Sequence, residues 1–145
     1  MVKDMTSMPK RSILRNRKGQ NLVEFALVVP MLVILMFGIA EFGRAWMTKN
    51  LLTGAAREAV RAVVVFPGNE AAATARGQAL LAPAGITTAT FTTPYPTTTE
   101  ADGTVTRSAT VNYTFTFLVW KIFPGLGSGS FPLSSTAKMR REYTP

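Results

Sequence analysis

The pattern of apolar and polar positions first predicts a long N-terminal helix. Residues 22–40 are apolar except for the acidic Glu24, and a basic stretch precedes them. A membrane helix needs about 20 mostly apolar residues, whereas a core helix of so small a protein is rarely apolar on every side. We therefore expect residues 20–40 to form a transmembrane segment. Pro30 lies inside this run, where we expect it to bend or loosen one turn.

The pattern then becomes that of an amphipathic helix. Between residues 41 and 66 apolar side chains recur mostly three or four positions apart, and charged side chains occupy other positions. The predicted apolar stripe consists of Phe42, Ala45, Trp46, Leu52, Ala56, Ala59, Val63 and Phe66. We expect residues 41–66 to continue the same helix, to pack this stripe on an outer domain, and to end at Pro67-Gly68. Trp46 lies where an interfacial aromatic anchor is expected.

A short helix and a strand are predicted next. Asn69 can cap a helix that runs to Ala82 and is ended by Pro83. The threonine-rich residues 86–93 predict a strand, and residues 94–99 predict a loop.

Two longer strands are predicted from alternating side chains. Residues 105–120 predict the first, after a turn at Asp102-Gly103, because Val111, Tyr113, Phe115, Phe117 and Val119 alternate with Thr110, Asn112, Thr114 and Thr116. In the second, Leu133, Ser135, Ala137 and Met139 lie on one face, and Lys138 and Arg140 lie on the other. The predicted fold class is α+β: a long N-terminal helix, a short second helix, and a small antiparallel sheet of about three to four strands packed on the outer half of the long helix. The predicted organisation is a basic leader (1–19), a transmembrane segment (20–40), its amphipathic continuation (41–66) and a C-terminal region outside the membrane (67–145).

Composition excludes several classes of function. The 145-residue chain has no Cys, no His and only eight acidic residues, which are scattered. Zinc sites of Cys and His and Ser–His–Asp triads therefore cannot form, and we expect no enzymatic activity, metal or cofactor. The glycine-rich residues 124–130 lack the Gly-Lys-Ser/Thr and the helix start of a phosphate-binding loop.

The net charge of +8 is concentrated in the leader. Residues 1–19 carry six basic side chains and one acidic side chain. A nucleic-acid-binding domain would spread basic residues over a folded face with interleaved aromatics, whereas a membrane protein clusters them beside the span on the cytoplasmic side. We therefore expect a lipid bilayer and no nucleic acid as partner, with the N-terminus cytoplasmic and the chain after Glu41 outside.

Glu24 is the unusual residue of the span. A carboxylate in the middle of a membrane costs roughly 2.5–3.5 kcal/mol on insertion scales. Charge alone leaves two interpretations open: Glu24 lies solvated at the headgroup boundary, or it needs a cationic partner in an assembly.

Lys18-Gly19 is followed by four residues and then by Glu24-Phe25. This spacing resembles the processing site of type IV prepilins. The resemblance is closest to the TadE-like pseudopilins of tight-adherence (Flp) pilus systems. It implies that a prepilin peptidase cuts between Gly19 and Gln20. It also implies that Glu24 then makes a charge contact with the new N-terminal amine of Gln20 in a neighbouring subunit.

The resemblance continues beyond this site. It includes Val23 to Pro30, the Gly38-Ile39 pair, residues 41–44 and, more loosely, a closing strand at residues 133–142. It implies a minor pilin or pseudopilin of the bacterial inner membrane, with other pilins or pseudopilins and the inner-membrane platform of the pilus machine as partners. The residues expected to pack between helices in the assembly are Leu22, Phe25, Val29, Pro30, Leu32 and Met36.

Other interpretations of the sequence remain. The first alternative is an uncleaved single-pass membrane protein with a periplasmic adaptor or binding domain. It differs from a pilin in that its chain is not cut after Gly19. Cleavage as a signal peptide after the small residues 38–40 is a further alternative. A membrane-bound enzyme is the third, although no combination of nucleophile, base and oxyanion donors is found in the sequence.

Overall fold

The structure is a computed structural model that describes residues 17–118 and 129–141, with side chains described from Gly19 onward. Most of the predicted leader, residues 1–16, therefore lies outside the described residues. So do the end of the predicted strand at residues 119–120 and most of the glycine-rich segment. By their internal contacts the residues form two compact units, which divide between Met36 and Phe37.

Helix α1 runs without interruption from Arg17 to Val65. Pro30 lies inside it, so the backbone continues as a helix although proline offers no N–H to the carbonyl of Ala26. The helix ends one residue before the predicted end. Pro67 disfavours a helical conformation at the residue before it, and Gly68 then takes a φ of +91° that suits glycine.

Helix α2 runs from Glu70 to Leu81 and begins as the sequence predicts. The side chain of Asn69 accepts a hydrogen bond from the backbone N–H of Ala72 at 3.0 Å. This bond supplies a partner for one of the free N–H groups of the first turn. The predicted end at Ala82 is nearly correct, because a short 3-10 turn, Ala82–Ala84, follows directly and contains Pro83.

Within the described residues, a four-stranded antiparallel sheet completes the fold. Its strands are β1 (Thr90–Phe91), β2 (Thr97–Thr99), β3 (Val105–Thr116) and β4 (Ser130–Arg140). Strand β4 pairs with β3 from Thr106 to Thr116, so the short strands β1 and β2 share the other edge of β3. Gly103, at a φ of +79°, lies in the predicted turn between β2 and β3.

Two predictions about the short strands are wrong. The strand predicted at residues 86–93 is reduced to Thr90–Phe91, and the loop predicted at residues 94–99 contains β2. The Thr93–Pro94 peptide bond between them is cis. The aromatic ring of Tyr95 is buried beside this bond, with 2% of the residue exposed. Tyr95 thus lies between β1 and β2 in the chain, and both of these short strands pair with β3.

The core lies between the second half of α1, helix α2 and the sheet. The helix contributes a row of mostly small buried residues, and β3 and β4 contribute the facing side chains. The buried residues of α1 are Leu52, Ala55, Ala56, Ala59, Val60, Ala62 and Val63. Small side chains allow close approach of the elements, and each fully buried Leu or Val contributes about 1.5–3 kcal/mol. The predicted packing of the sheet on the outer half of the helix is confirmed.

The predicted apolar stripe is only partly correct. Leu52, Ala56, Ala59 and Val63 are buried, as predicted. The aromatic members of the stripe, Phe42, Trp46 and Phe66, are exposed over more than half of their surface. Periodicity selects one side of a helix, but it does not say how far along that side the sheet extends.

Candidate assembly site on the N-terminal helix

The predicted processing site lies in the first turn of α1. The helix begins at Arg17, so the peptide bond between Gly19 and Gln20 is part of that turn. Both residues are exposed, and a methyl group added at Gly19 would meet no atom within 4 Å. The N–H groups of a first helical turn have no partner within the helix.

Gln20 and Glu24 lie one turn apart on the same side of α1, because residues four apart in a helix face the same way. Glu24 is exposed. No ion pair of Glu24 is found among the residues whose side chains the structure describes. The described part of the chain therefore leaves the carboxylate available for a partner from another molecule.

The apolar side chains of this part of α1 project outward. Helix α1 is long and apolar enough to cross a membrane, and its most apolar stretch is not buried by the rest of the described chain. Of the six residues predicted to pack between helices, Leu22, Phe25, Leu32 and Met36 are 57–71% exposed. Pro30 is exposed as well, and Val29 is partly buried. The described residues thus leave this surface uncovered, as expected of a membrane anchor.

A buried carboxylate lies just beyond the apolar run, and the sequence analysis did not single it out as a link to the sheet. Glu41 is only 7% exposed. Its Oε2 accepts a hydrogen bond from Arg44 at 2.8 Å, and its Oε1 accepts one from the backbone N–H of Leu118 at 2.7 Å. The Arg44 guanidinium in turn lies 5.2 Å from the centre of the Phe115 ring. Through these contacts the end of β3 packs against the helix.

The sequence contained part of this signal. Glu41 and Arg44 have the spacing of a helical ion pair, and Glu58 and Arg61 share it. The second pair is more open, with 3.8 Å between its charged atoms. Spacing alone does not distinguish the pair that the sheet covers from the pair that faces water.

Further along α1, two polar contacts continue the attachment to β4. The ammonium group of Lys49 donates to the backbone carbonyl of Ser134. The hydroxyl of Thr53 lies 2.8 Å from that of Ser135. Because Ser135 is buried, its hydrogen bond to Thr53 satisfies a polar group that would otherwise be costly.

The predicted anchor Trp46 precedes Lys49 and Thr53 by about one and two helical turns, but it is not covered by the sheet. Its side chain is 62% exposed and stacks on Phe42, with 6.2 Å between the ring centres. The structure therefore leaves an aromatic pair uncovered next to the end of the apolar run.

A recess of about 610 Å³ lies between α2 and β1. Its lining includes Glu70, Thr74 and Phe91. Glu70 faces Arg107 at 3.5 Å, and Tyr95 donates to or accepts from the Thr74 hydroxyl at 2.8 Å. Burial raises the pKa of the Tyr95 phenol. Within residues 17–118 and 129–141, no three acidic side chains converge as a metal site would need.

Comparison with known proteins adds one finding. Residues 19–61 match the sequence model of the TadE-like protein family. The matched range contains Gly19, Glu24, Pro30, Glu41 and Trp46, and it ends inside α1. No curated protein and no solved structure matches the chain. The match confirms the resemblance stated from the sequence, because the part of α1 that carries Gly19 and Glu24 is similar to the TadE-like family.

Proposed function

We propose that this TadE-like chain is a minor pilin or pseudopilin that a prepilin peptidase processes between Gly19 and Gln20. It then acts in the assembly of a tight-adherence pilus through its N-terminal helix. The observation that carries the proposal is the exposed apolar surface of α1 after Gly19, which holds the single carboxylate of Glu24. The family match covers this same stretch.

The proposed cut changes the charge of the helix end. Hydrolysis of the Gly19–Gln20 bond removes the basic leader and leaves an ammonium group on Gln20. That group lies one helical turn before Glu24, so each subunit carries a cation and an anion close together on one side of its helix.

The two charges then fix how far neighbouring helices are shifted along each other in the assembly. A carboxylate in hydrocarbon is expensive, and a buried ion pair offsets the desolvation of both ions only when its geometry is good. The Glu24 carboxylate therefore accepts the Gln20 ammonium of a neighbouring subunit at one longitudinal offset between the helices. The surrounding contacts come from Leu22, Phe25, Val29, Pro30, Leu32 and Met36.

The proposed location is the bacterial inner membrane. The basic leader keeps the N-terminus cytoplasmic, and the sheet then lies in the periplasm. The proposed partners are the prepilin peptidase, the other pilins or pseudopilins, and the inner-membrane platform of the pilus machine. The bilayer holds the subunit before assembly.

Mass spectrometry of the protein purified from its own membrane tests the processing step. We expect a mature chain that begins at Gln20. Gly19→Leu should leave the leader attached, because a large side chain replaces the glycine next to the bond that is cut. Gly38→Leu is the matched control, since Gly38 also lies on α1 with no atom within 4 Å of an added methyl group, and it should be cut normally.

An intact leader in cells with an active prepilin peptidase would contradict the proposal. It would favour the uncleaved single-pass protein with a periplasmic adaptor or binding domain.

A further inference from the structure

Several large apolar side chains are exposed close to the point where the apolar run of α1 ends, and four of them form a group from both the helix and the sheet. They are Phe42, Trp46, Leu118 and Phe131, with 70%, 62%, 44% and 56% of their surface exposed. We refer to these four residues as the collar. All four belong to the compact unit that begins at Phe37, which also contains the last residues of the apolar run.

Two contacts place the sheet residues of the collar at the level of the helix residues. The N–H of Leu118 donates to Glu41, the first residue after the apolar run. Arg44 lies over the ring of Phe115, and Phe115 pairs with Phe131 across β3 and β4. The end of the sheet where β3 finishes and β4 starts is therefore next to the turn of α1 that leaves the run.

The collar contains side chains of both the helix and the sheet at one level along α1. Glu41 faces the end of β3, and Phe42 and Trp46 lie about 100° and 140° further round the helix. A lipid surface that the helix crosses contacts helix and sheet side chains together at this depth.

We propose that the collar inserts into the headgroup region of the membrane, so that this end of the sheet docks on the bilayer surface. At 1.5 Å per residue, Trp46 lies about 9 Å beyond Ala40. The headgroup region of one leaflet is roughly 5–8 Å thick. Helical side chains tilt toward the N-terminus, so the Trp46 ring points back toward the hydrocarbon. The ring therefore reaches the headgroup region although the backbone of Trp46 lies slightly beyond it.

The chemistry of the neighbouring residues suits this location. Tryptophan and other aromatic side chains with an apolar body favour the membrane interface. The side chain of Arg44 is about half exposed, so part of its guanidinium can reach lipid phosphate while it remains paired with Glu41. The Glu41 carboxylate itself is satisfied by two donors and is not left unpaired near lipid.

This inference extends the expected role of Trp46 to a surface made by both helix and sheet. It requires only that α1 spans a membrane, and it does not depend on the processing of Gly19 or on any pilus partner. Its test and the test of the proposed function can therefore fail separately.

Spin labels on single cysteines give a direct test, because the natural chain has no Cys. Leu118→Cys and Phe131→Cys are introduced separately into the full chain and labelled in vesicles of phosphatidylethanolamine and phosphatidylglycerol. The measurement is the accessibility of each label to oxygen, which concentrates in lipid, relative to a water-soluble nickel chelate. Ile39→Cys at the end of the apolar run is the lipid reference. Glu100→Cys, exposed in the turn after β2, is the water reference.

We expect labels at Leu118 and Phe131 to show an oxygen-to-nickel ratio several-fold above that at Glu100 and close to that at Ile39. A ratio equal to that at Glu100 would overturn the inference. Strong dipolar coupling between Phe131 labels on two chains, with no preference for oxygen, would also overturn it, because a second copy would then cover the collar.

A second measurement guards against misfolding of the cysteine variants. Trp120→Phe leaves Trp46 as the remaining one of two tryptophans. We expect lipids brominated near the headgroup end of the acyl chain to quench Trp46 fluorescence more strongly than lipids brominated near the chain terminus. Absence of quenching by either lipid would contradict insertion of the collar.

Discussion

The Oε1 atom of Glu41 lies 2.7 Å from the backbone nitrogen of Leu118, so one carboxylate joins the helix to the end of strand β3. Arg44 binds the other oxygen of the same carboxylate and covers Phe115. Residues far apart in the chain are thus held together immediately after the apolar run. This contact lies at the end of the sheet that is beside the helix where the apolar run ends.

Glu41→Ala should destabilise the sheet region. It removes a charged acceptor and leaves the N–H of Leu118 and the guanidinium of Arg44 without their partner. Hydrogen bonds to charged groups contribute about 1.5–3 kcal/mol, and we expect a loss of that size in the free energy of unfolding. Urea unfolding of the full chain in detergent, followed by circular dichroism, measures it.

Glu58→Ala is the matched control, because Glu58 forms the same i,i+3 pair with Arg61 on a more exposed surface. Exposed pairs contribute up to about 1 kcal/mol, so this variant should lose less. Equal losses for the two variants would show that the contact with Leu118 adds nothing.

Gly77→Ala and Gly54→Ala should change stability in opposite directions. A methyl group at Gly77 would lie 2.5 Å from Cζ of Phe91 and 3.1 Å from the carbonyl oxygen of Ala55, whereas at Gly54 it would meet no atom within 4 Å. Overpacking costs about 1–3 kcal/mol, which exceeds the gain of up to about 1 kcal/mol in helix propensity. At Gly54 only the gain remains.

Thermal unfolding of both glycine variants under identical conditions measures the difference. We expect a lower midpoint for Gly77→Ala and a higher midpoint for Gly54→Ala than for the unaltered chain. A higher midpoint for Gly77→Ala would mean that the Phe91 ring moves aside without cost.

Glu24→Ala should leave membrane insertion and cleavage intact but impair incorporation into, or function of, the pilus. Removal of an acid makes the span more apolar, so insertion does not suffer. The ammonium of Gln20 then lacks its acceptor in the neighbouring subunit. Immunoblots of membranes and of sheared pili measure the two steps separately.

Leu32→Ala is a useful comparison, since it alters the exposed apolar surface of the same helix without touching a charge. It should impair incorporation less than Glu24→Ala if register depends on the charge contact. Normal piliation by the Glu24 variant at normal protein levels would contradict the pairing role.

Tyr95 should make stability decrease at alkaline pH. Burial raises the pKa of its phenol above the ordinary value of 10.0. The unfolded state therefore loses the proton first as pH rises, and it binds fewer protons than the folded state between 10.0 and the raised pKa. The stabilisation is complete below pH 10.0 and is lost as the pH rises toward the folded-state pKa.

Urea unfolding at pH values below and above 10.0 tests this dependence. Tyr95→Phe should remove the contribution of this phenol to the alkaline decrease, while it costs about 0.5–1.5 kcal/mol at neutral pH through the lost hydrogen bond with Thr74. Thr74→Val keeps the phenol and should keep the decrease. If the stability of Tyr95→Phe decreases at alkaline pH as much as that of the unaltered chain, other groups cause the decrease.

The candidate assembly site could be located from local sequence alone. The spacing of Gly19 and Glu24 and the apolar run after them lie on one continuous helix, so no distant contact was needed to find them. The same holds for the Asn69 cap, whose side chain reaches only as far as Ala72. The alternation in β3 and β4 identified the paired strands for the same reason, because each strand has one buried face.

The short strands could not be predicted from such patterns. Strands β1 and β2 contain two and three residues, too few for a period to be seen, and they exist because β3 offers them an edge. The burial of Tyr95 between them depends likewise on partners distant in sequence. A local pattern contains no information about an edge that is formed elsewhere in the chain.

By itself, the sequence determined that a long apolar helix with a pilin-like N-terminus carries a small α+β region, because helical and strand periods and capping are local properties. Only the tertiary structure decided that Glu41 is buried against Leu118 while Phe42 and Trp46 stay exposed. Glu41, Phe42 and Trp46 lie in neighbouring turns of one helix. Their environments differ because the sheet covers one side of those turns, and that side is set by contacts between residues far apart in the chain.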